Sequence, residues 1–559
     1  MALLRGFWND TLCGFDDGAS DPGGGLAAKV KWIMVQYTRF PPKVRRTAPQ
    51  PPEQEAALPE AASDTLPYTG QTASKITRTQ TTRASAKSSG ARSENPLSGA
   101  VSGTAALSGV VVILMISIIM PIYFNVGSLR LSPSRLVLVA MCLPVFFYWA
   151  TGKAGRIRIT DILILLYALW VVIAVLMTEG IADIEFIGIT VIEIFCPYML
   201  ARCYIRTEEQ YASLLKVLYV IALLLAPAAM LEAVTGFRIY TKIFDPLFAV
   251  FPSVNYEKRL GMTRAQTVFE HPILFGVYIA MFFAPIYLAA RGAQKSALKA
   301  MLIASPVGAA TFFSLSAGAY LGLMVQLLLI GWGYAMRRSP KRWQIMTTLV
   351  AVAFVVVDLV SNRSPFEVFI SYLTFDASNS YWRVLIFSFG MENVWAHPFF
   401  GLGLKDWARP FWMHTASVDN FWLLTTMRYG IPAFLLLAAA YGSVIAALVR
   451  SRPASPSIQL HKLGLLFMLI GLAIAACTVH LWNNTAIFMI FMMGAGRWIS
   501  EADGAVKDGQ ENGGAARSWP PRAFSGTKGA ISGQAFVSPG ATGSDQNRPS
   551  VRQRPERST

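Results

Sequence analysis

Two stretches of this sequence hold most of the side chains that could do polar chemistry. The first, 258–273, carries Arg264, Glu270 and His271 beside Lys258 and Arg259. The second, 362–429, carries Arg383, His414, Asp419 and Asn420 among aromatic residues. An arginine fork donates paired hydrogen bonds to adjacent phosphate oxygens and stays charged at any physiological pH, so Arg383 suits a diphosphate. Snorkelling of Lys258 and Arg259 toward headgroups accounts for those two cations. Arg264, Glu270 and His271 stand apart from that fringe because they lie with Pro272 at a helix entry, where charges are costly unless they are partnered or face a cavity. Together the two stretches suit an anionic, lipid-linked sugar donor. Structural roles remain open: Arg383 could pair with Glu392 or Asp376, and Asp419-Asn420 could cap the helix that follows.

The elements that position these residues are membrane helices. The chain has 559 residues, of which 54% are hydrophobic and 14% charged, which excludes an ordinary soluble globule. Apolar runs long enough to cross a hydrocarbon core of ~30 Å recur at 105–124, 134–150, 161–178, 184–200, 211–232, 271–290, 300–316, 318–336, 345–361, 430–449, 463–481 and 483–499. The expected fold is an all-α polytopic membrane protein with about twelve transmembrane helices. If one Gly- or Pro-bearing pair is re-entrant, about ten cross.

The formal net charge of +17 falls on alternate loops, in groups such as Lys153, Arg156 and Arg158 or Arg337, Arg338, Lys341 and Arg342. That is the positive-inside pattern of a membrane protein, not the footprint of a nucleic-acid binder. It places both termini in the cytoplasm of an inner-membrane protein and turns the long loops 233–270 and 362–429 outward. Residues 1–104 and 501–559, rich in Pro, Ser, Gly and Ala, read as disordered cytoplasmic tails around a membrane domain at 105–500. The five cysteines form no CxxC pair and read as apolar packing residues.

Within the second stretch, Trp382, Leu385, Phe389 and Trp395 recur on a helical period, with Arg383 set off from them. Gly401-Leu402-Gly403 lacks the third glycine and the strand context of a dinucleotide loop, and reads as a tight turn.

Arg264-Ala265, Phe269-Glu270-His271-Pro272, Ser314-Leu315-Ser316-Ala317-Gly318, Arg383, His397-Pro398-Phe399-Phe400-Gly401-Leu402-Gly403, and Asp419-Asn420-Phe421-Trp422 before Arg428-Tyr429-Gly430 occur in that order. The series resembles the bacterial O-antigen ligase and polysaccharide polymerase superfamily, over roughly 105–500. That resemblance implies a metal-independent, cofactor-free glycosyltransferase of the C type that takes a glycan from undecaprenyl diphosphate at the periplasmic face. The acceptor would be a lipid- or glycan-linked sugar, and other polysaccharide-assembly proteins are conceivable partners. It also implies that Arg264 and Arg383 clamp the diphosphate. Asp419-Asn420 stands where the family usually has His-Asn, so Asp419 or His414 is the expected base, with Glu270, His271 and Asn420 completing the substrate-binding set. Trp382, Trp407, Trp412 and Trp422 could offer faces to sugar rings or form an interfacial belt. The rival reading is a transporter or flippase of lipid-linked saccharide, which would place its polar groups near the bilayer midplane, whereas intramembrane ionisable residues are few here, Glu193 and Asp358 being the clearest.

Overall fold

The computed structural model describes residues 106–501 apart from 127–128, 253–255, 295, 363–364, 366–367, 369–376 and 414–415. The two tail expectations therefore lie outside the described residues, except for Glu501, and so does His414. In chain order the helices are α1 (Gly109–Ile118), α2 (Pro133–Ala150), α3 (Ile159–Glu179), α4 (Ile184–Tyr204), α5 (Glu208–Thr235), α6 (Ile239–Phe244), α7 (Pro272–Ala280) and α8 (Phe283–Ala293). They continue as α9 (Ala297–Phe313), α10 (Ala317–Ala335), α11 (Arg342–Val360), α12 (Ala377–Ala396), α13 (Phe421–Arg450), α14 (Pro456–Ala475) and α15 (Asn483–Ala495). One departure from an all-α fold is a short antiparallel pair, β1 (Phe124–Val126) with β2 (Leu129–Leu131).

Among the described residues, eight helical stretches are long and apolar enough to cross a membrane. This makes the protein a polytopic membrane protein but does not reach the expected twelve spans. Two of the expected spans are continuous with each other, and three are short. The stretch Ile159–Tyr204 is α3 and α4 joined through a 3-10 turn at Gly180–Asp183, and α1, α9 and α15 are shorter than a full crossing. Eleven of the twelve apolar runs are nonetheless helical over most of their length, and 105–124 over Gly109–Ile118.

Two breaks in the helices are built by side chains and backbone that the apolar pattern does not mark. Between α7 and α8, the buried Gln326 of α10 inserts its amide into the helical ladder. Its Nε2 donates to the Ala280 carbonyl at 2.9 Å and its Oε1 accepts from Ala284 N at 3.0 Å, the two groups that would otherwise bond to each other. In α13, Pro432 has no N–H to offer the Arg428 carbonyl, and Gly430 turns the chain with φ 81°. The His397–Gly403 turn fills that gap. Leu402 N donates to Met427 O at 2.7 Å, Gly403 N to Arg428 O at 2.9 Å, and Ile431 N to Pro398 O at 2.8 Å. Gly401 and Gly403 adopt φ 72° and 68°, so the expected tight turn is present, and its function is to dock onto the broken helix.

A Cβ at Gly430 would run into the Phe399 carbonyl in a backbone region that L-residues avoid. Gly430→Ala is expected to cost about 2 kcal/mol or more. It should appear as a lower thermal midpoint in detergent together with a new protease cut near residue 400. Unchanged values would show that the turn is not held by this contact.

α3 lies antiparallel to α13. Thr160 bonds Ser443 at 2.6 Å and Trp170 Nε1 donates to Tyr429 O at 3.0 Å, while Leu404 N donates to Glu179 at 2.9 Å. The start of α13, the α12 segment and the turn thus share one end of the bundle. The arginines Arg158 and Arg202, paired with Glu501, occupy the opposite end.

Candidate functional site

The Arg264 loop, between α6 and α7, is fixed by backbone bonds along most of its length. Arg259 and Met262 exchange two hydrogen bonds, at 3.0 and 2.9 Å, around Leu260-Gly261, whose φ values of 53° and 75° match a two-residue hairpin turn. Thr263 N then donates to Ala233 O at 2.9 Å and Ala265 N to Phe313 O at 3.0 Å. Thr267, a β-branched residue at φ 49°, is held there by Glu232, whose Oε2 accepts from Thr267 N at 2.7 Å. Glu232 is 1% exposed and also pairs with Arg238 at 2.9 Å. Sequence reading missed this carboxylate, which lies inside an apolar helix and far from the loop that it positions.

Arg264 itself is 8% exposed, with its guanidinium 5.7 Å from the Tyr256 ring centre and no hydrogen-bond partner on Nε. Burial and the nearby Arg259 charge pull its pKa down to about 10, against the opposing influence of Tyr256, Tyr320 and Asp419. Arg383 sits on α12, where Nε and Nη1 are both buried without a partner. Burial lowers its pKa, Asp419 opposes that shift and Arg259 adds to it. Among the described residues no ion pair to Glu392 forms, and Asp376 lies outside them. Arg264, from a loop, and Arg383, from α12, both lie within electrostatic reach of Asp419 and Arg259. Both guanidinium groups therefore feel one carboxylate and a third arginine, and the excess positive charge suits an anion.

Asp419 borders a small cleft with Arg383, Ile386, Phe387, Asn420, Leu423 and Cys477. Ser417 Oγ donates to its Oδ1 at 3.0 Å. Helix capping falls to Asn420 instead, whose Oδ1 accepts from Leu423 N at 3.0 Å. Asp419 thus stays available to the cleft while its neighbour starts α13.

Glu270 and His271 are brought near the cluster but are engaged. Glu270 accepts from Trp482 Nε1 at 3.2 Å and from Asn483 Nδ2 at 3.0 Å. Asn483 in turn accepts from Arg135, which pairs with Glu193 at 2.6 Å. His271 caps α7, its Nδ1 accepting from Ile273 N at 3.0 Å, and its ring lies 4.5 Å from that of Tyr256. Burial, with the Arg264 charge, holds the imidazole down to about 4, so His271 is neutral at pH 7 with its proton on Nε2. A further imidazole that sequence reading passed over is His480, 5.0 Å from the Trp482 ring and lowered to about 3 by burial and Arg428.

Of the four tryptophans, Trp407 and Trp422 are structural. Trp407 is 6% exposed and donates to Ala416 O, while Trp422 packs against Phe421, Phe434 and Tyr441 and donates to Ala473 O. Trp382 and Trp412 remain open to solvent, with ring centres 6.1 Å apart. Among the described residues no group of three or more His, Cys, Asp or Glu side chains is placed to hold a metal ion.

Residues 300–438 match the family described as O-antigen ligase. The match covers about a quarter of the chain and supports its assignment to the O-antigen ligase and polymerase superfamily. The matched segment runs from α9 into α13 and contains Arg383, Asp419 and Asn420, whereas Arg264, Glu270 and His271 precede it. No curated protein matches the chain. The apolar helices make this a multi-pass membrane protein, and the matched segment is consistent with the O-antigen ligase family's role in surface polysaccharide biosynthesis.

Proposed function

We propose that this protein moves a glycan from undecaprenyl diphosphate to a sugar hydroxyl at the periplasmic face of the inner membrane, as a polymerase or as a ligase. The observation that carries the reading is that Arg383 lines the cleft that Asp419 borders while Arg264 lies within electrostatic reach of the same carboxylate, each guanidinium having a buried N–H without a partner. In the proposed step the acceptor hydroxyl oxygen bonds to the anomeric carbon as the bond from that carbon to the diphosphate oxygen breaks. The leaving diphosphate keeps the electron pair, and the two arginines neutralise its developing charge, so little acid catalysis is needed. The hydroxyl proton passes to a base, and Asp419 is the one that lies beside the arginines. His414 is the other candidate. Glu270, His271 and Asn420 act on the substrates indirectly in this scheme, by fixing the loop and the helix start that present the arginines and the carboxylate.

The placement of this chemistry on the outer face rests on the charge asymmetry of the loops. It is tested in intact spheroplasts with an impermeant thiol reagent. Ala408→Cys, at the site end, is expected to react, and Ala454→Cys, beyond the other end of α13, is expected to stay protected. The reverse pattern would place the site in the cytoplasm and remove a periplasmic reaction. Purified protein in liposomes should then lengthen or transfer a supplied undecaprenyl-diphosphate glycan, and movement of the intact donor across the bilayer without a new glycosidic bond would favour a flippase.

A further inference from the structure

The start of α10 is built like the arginine cluster's missing half. Ser316 occupies the position that ordinarily caps a helix, yet its side chain makes no capping bond, and its Oγ is buried without a hydrogen-bond partner in a residue 1% exposed. The first helical bond in α10 is from Tyr320 N to Ser316 O. Among the described residues, no acceptor is placed on the N–H groups of Ala317, Gly318 and Ala319, although Gly318 and Ala319 are buried. A largely buried helix start without a side-chain cap leaves N–H groups for another acceptor, and its partial positive charge favours an anionic one.

The arginines adjoin this helix start. Arg259 Nη1 donates to Leu315 O at 2.9 Å, and Ala265 N, next to Arg264, donates to Phe313 O. Tyr320, one turn into α10, lies within electrostatic reach of both Arg259 and Arg264. Leu315 adopts φ 48°, which turns the chain sharply between α9 and α10 and sets Ser316 at the helix start.

We infer that Ser316 Oγ and the N-terminal N–H groups of α10 bind one phosphate of the substrate's diphosphate, beside the arginines. This rests on the diphosphate reading above and extends it to a residue and an element that the arginine pair does not include. A hydroxyl donor at a helix start supplies a directed hydrogen bond to an oxyanion, where arginine charge alone is less selective between one phosphate and two.

The test measures binding of inorganic pyrophosphate and of farnesyl diphosphate to detergent-solubilised full-length protein, by calorimetry, for wild type, Ser316→Ala, Ser316→Thr, Ser314→Ala and Arg383→Ala. Ser314 is a control two residues away, already bonded to Thr311 O at 2.6 Å. Ser316→Ala is expected to weaken diphosphate binding roughly tenfold, with Ser316→Thr restoring it and Ser314→Ala leaving it unchanged. Farnesyl monophosphate should lose less than the diphosphate in Ser316→Ala. If Ser316→Ala binds diphosphate as wild type does while Arg383→Ala does not, the helix-start inference is overturned and the arginine reading stands. If Arg383→Ala also binds as wild type does, the diphosphate reading itself is overturned.

Discussion

Arg383→Lys is expected to lose glycan transfer nearly as completely as Arg383→Ala, by roughly 10²–10³-fold in each case. Two Arg383 nitrogens, Nε and Nη1, are buried without a partner, and a phosphate takes guanidinium N–H groups in pairs, through parallel bonds. Lysine keeps the charge but offers a single rotating ammonium, so it recovers the long-range attraction and loses the paired geometry. Both variants should insert and fold. Arg383 makes no ion pair among the described residues, and Asp419 keeps its bond from Ser417 when the guanidinium is removed. Initial rates in liposomes, with thermal midpoints measured in parallel, decide the matter. A near-normal rate for Arg383→Lys would mean that charge alone suffices and that the fork geometry is irrelevant.

The parts of this site that were legible in the sequence are those whose chemistry is local. Arg264, Arg383 and Asp419 stand out because charges beside apolar runs need a reason, and α12 follows from the spacing of Trp382, Leu385, Phe389 and Trp395. What stayed hidden depends on pairing across distance. Glu232 reaches the Arg264 loop from 35 positions away, Gln326 opens the α7–α8 ladder from 42 and 46 positions away, and neither has a marker in its own neighbourhood. The division of labour between Asp419 and Asn420 was open for a different reason. Both are good capping residues, and only the backbone geometry assigns the cap to Asn420. Hydrophobicity also overstates what an aromatic residue offers a sugar, since Trp407 and Trp422 spend their ring faces and N–H groups inside the protein. The span count fell short because α1, α9 and α15 are too short for a full crossing and because two of the expected spans, α3 and α4, form one apolar stretch through a 3-10 turn.

Asp419→Asn separates the base from the anion clamp, and the sign of its effect on binding is as informative as the loss of rate. The substitution keeps the size of the side chain and leaves the α13 cap with Asn420, so folding is expected to be unchanged. It removes the proton acceptor, and transfer should fall by roughly 10²–10⁴-fold, the usual worth of a positioned general base. Donor binding should move the other way. The Asp419 carboxylate favours the charged forms of both Arg264 and Arg383, but it also repels an incoming diphosphate. Both guanidinium groups stay protonated without it, because an arginine side chain keeps its proton at any physiological pH. Removing the carboxylate therefore leaves the clamp charged and takes away one like charge from the ligand's path, so diphosphate should bind at least as tightly as to wild type. A slow enzyme with tighter donor binding is the signature of a base beside a clamp. Weaker donor binding would instead make Asp419 a residue that orients the arginines, and an active Asp419→Asn beside an inactive His414→Ala would move the proton transfer to His414.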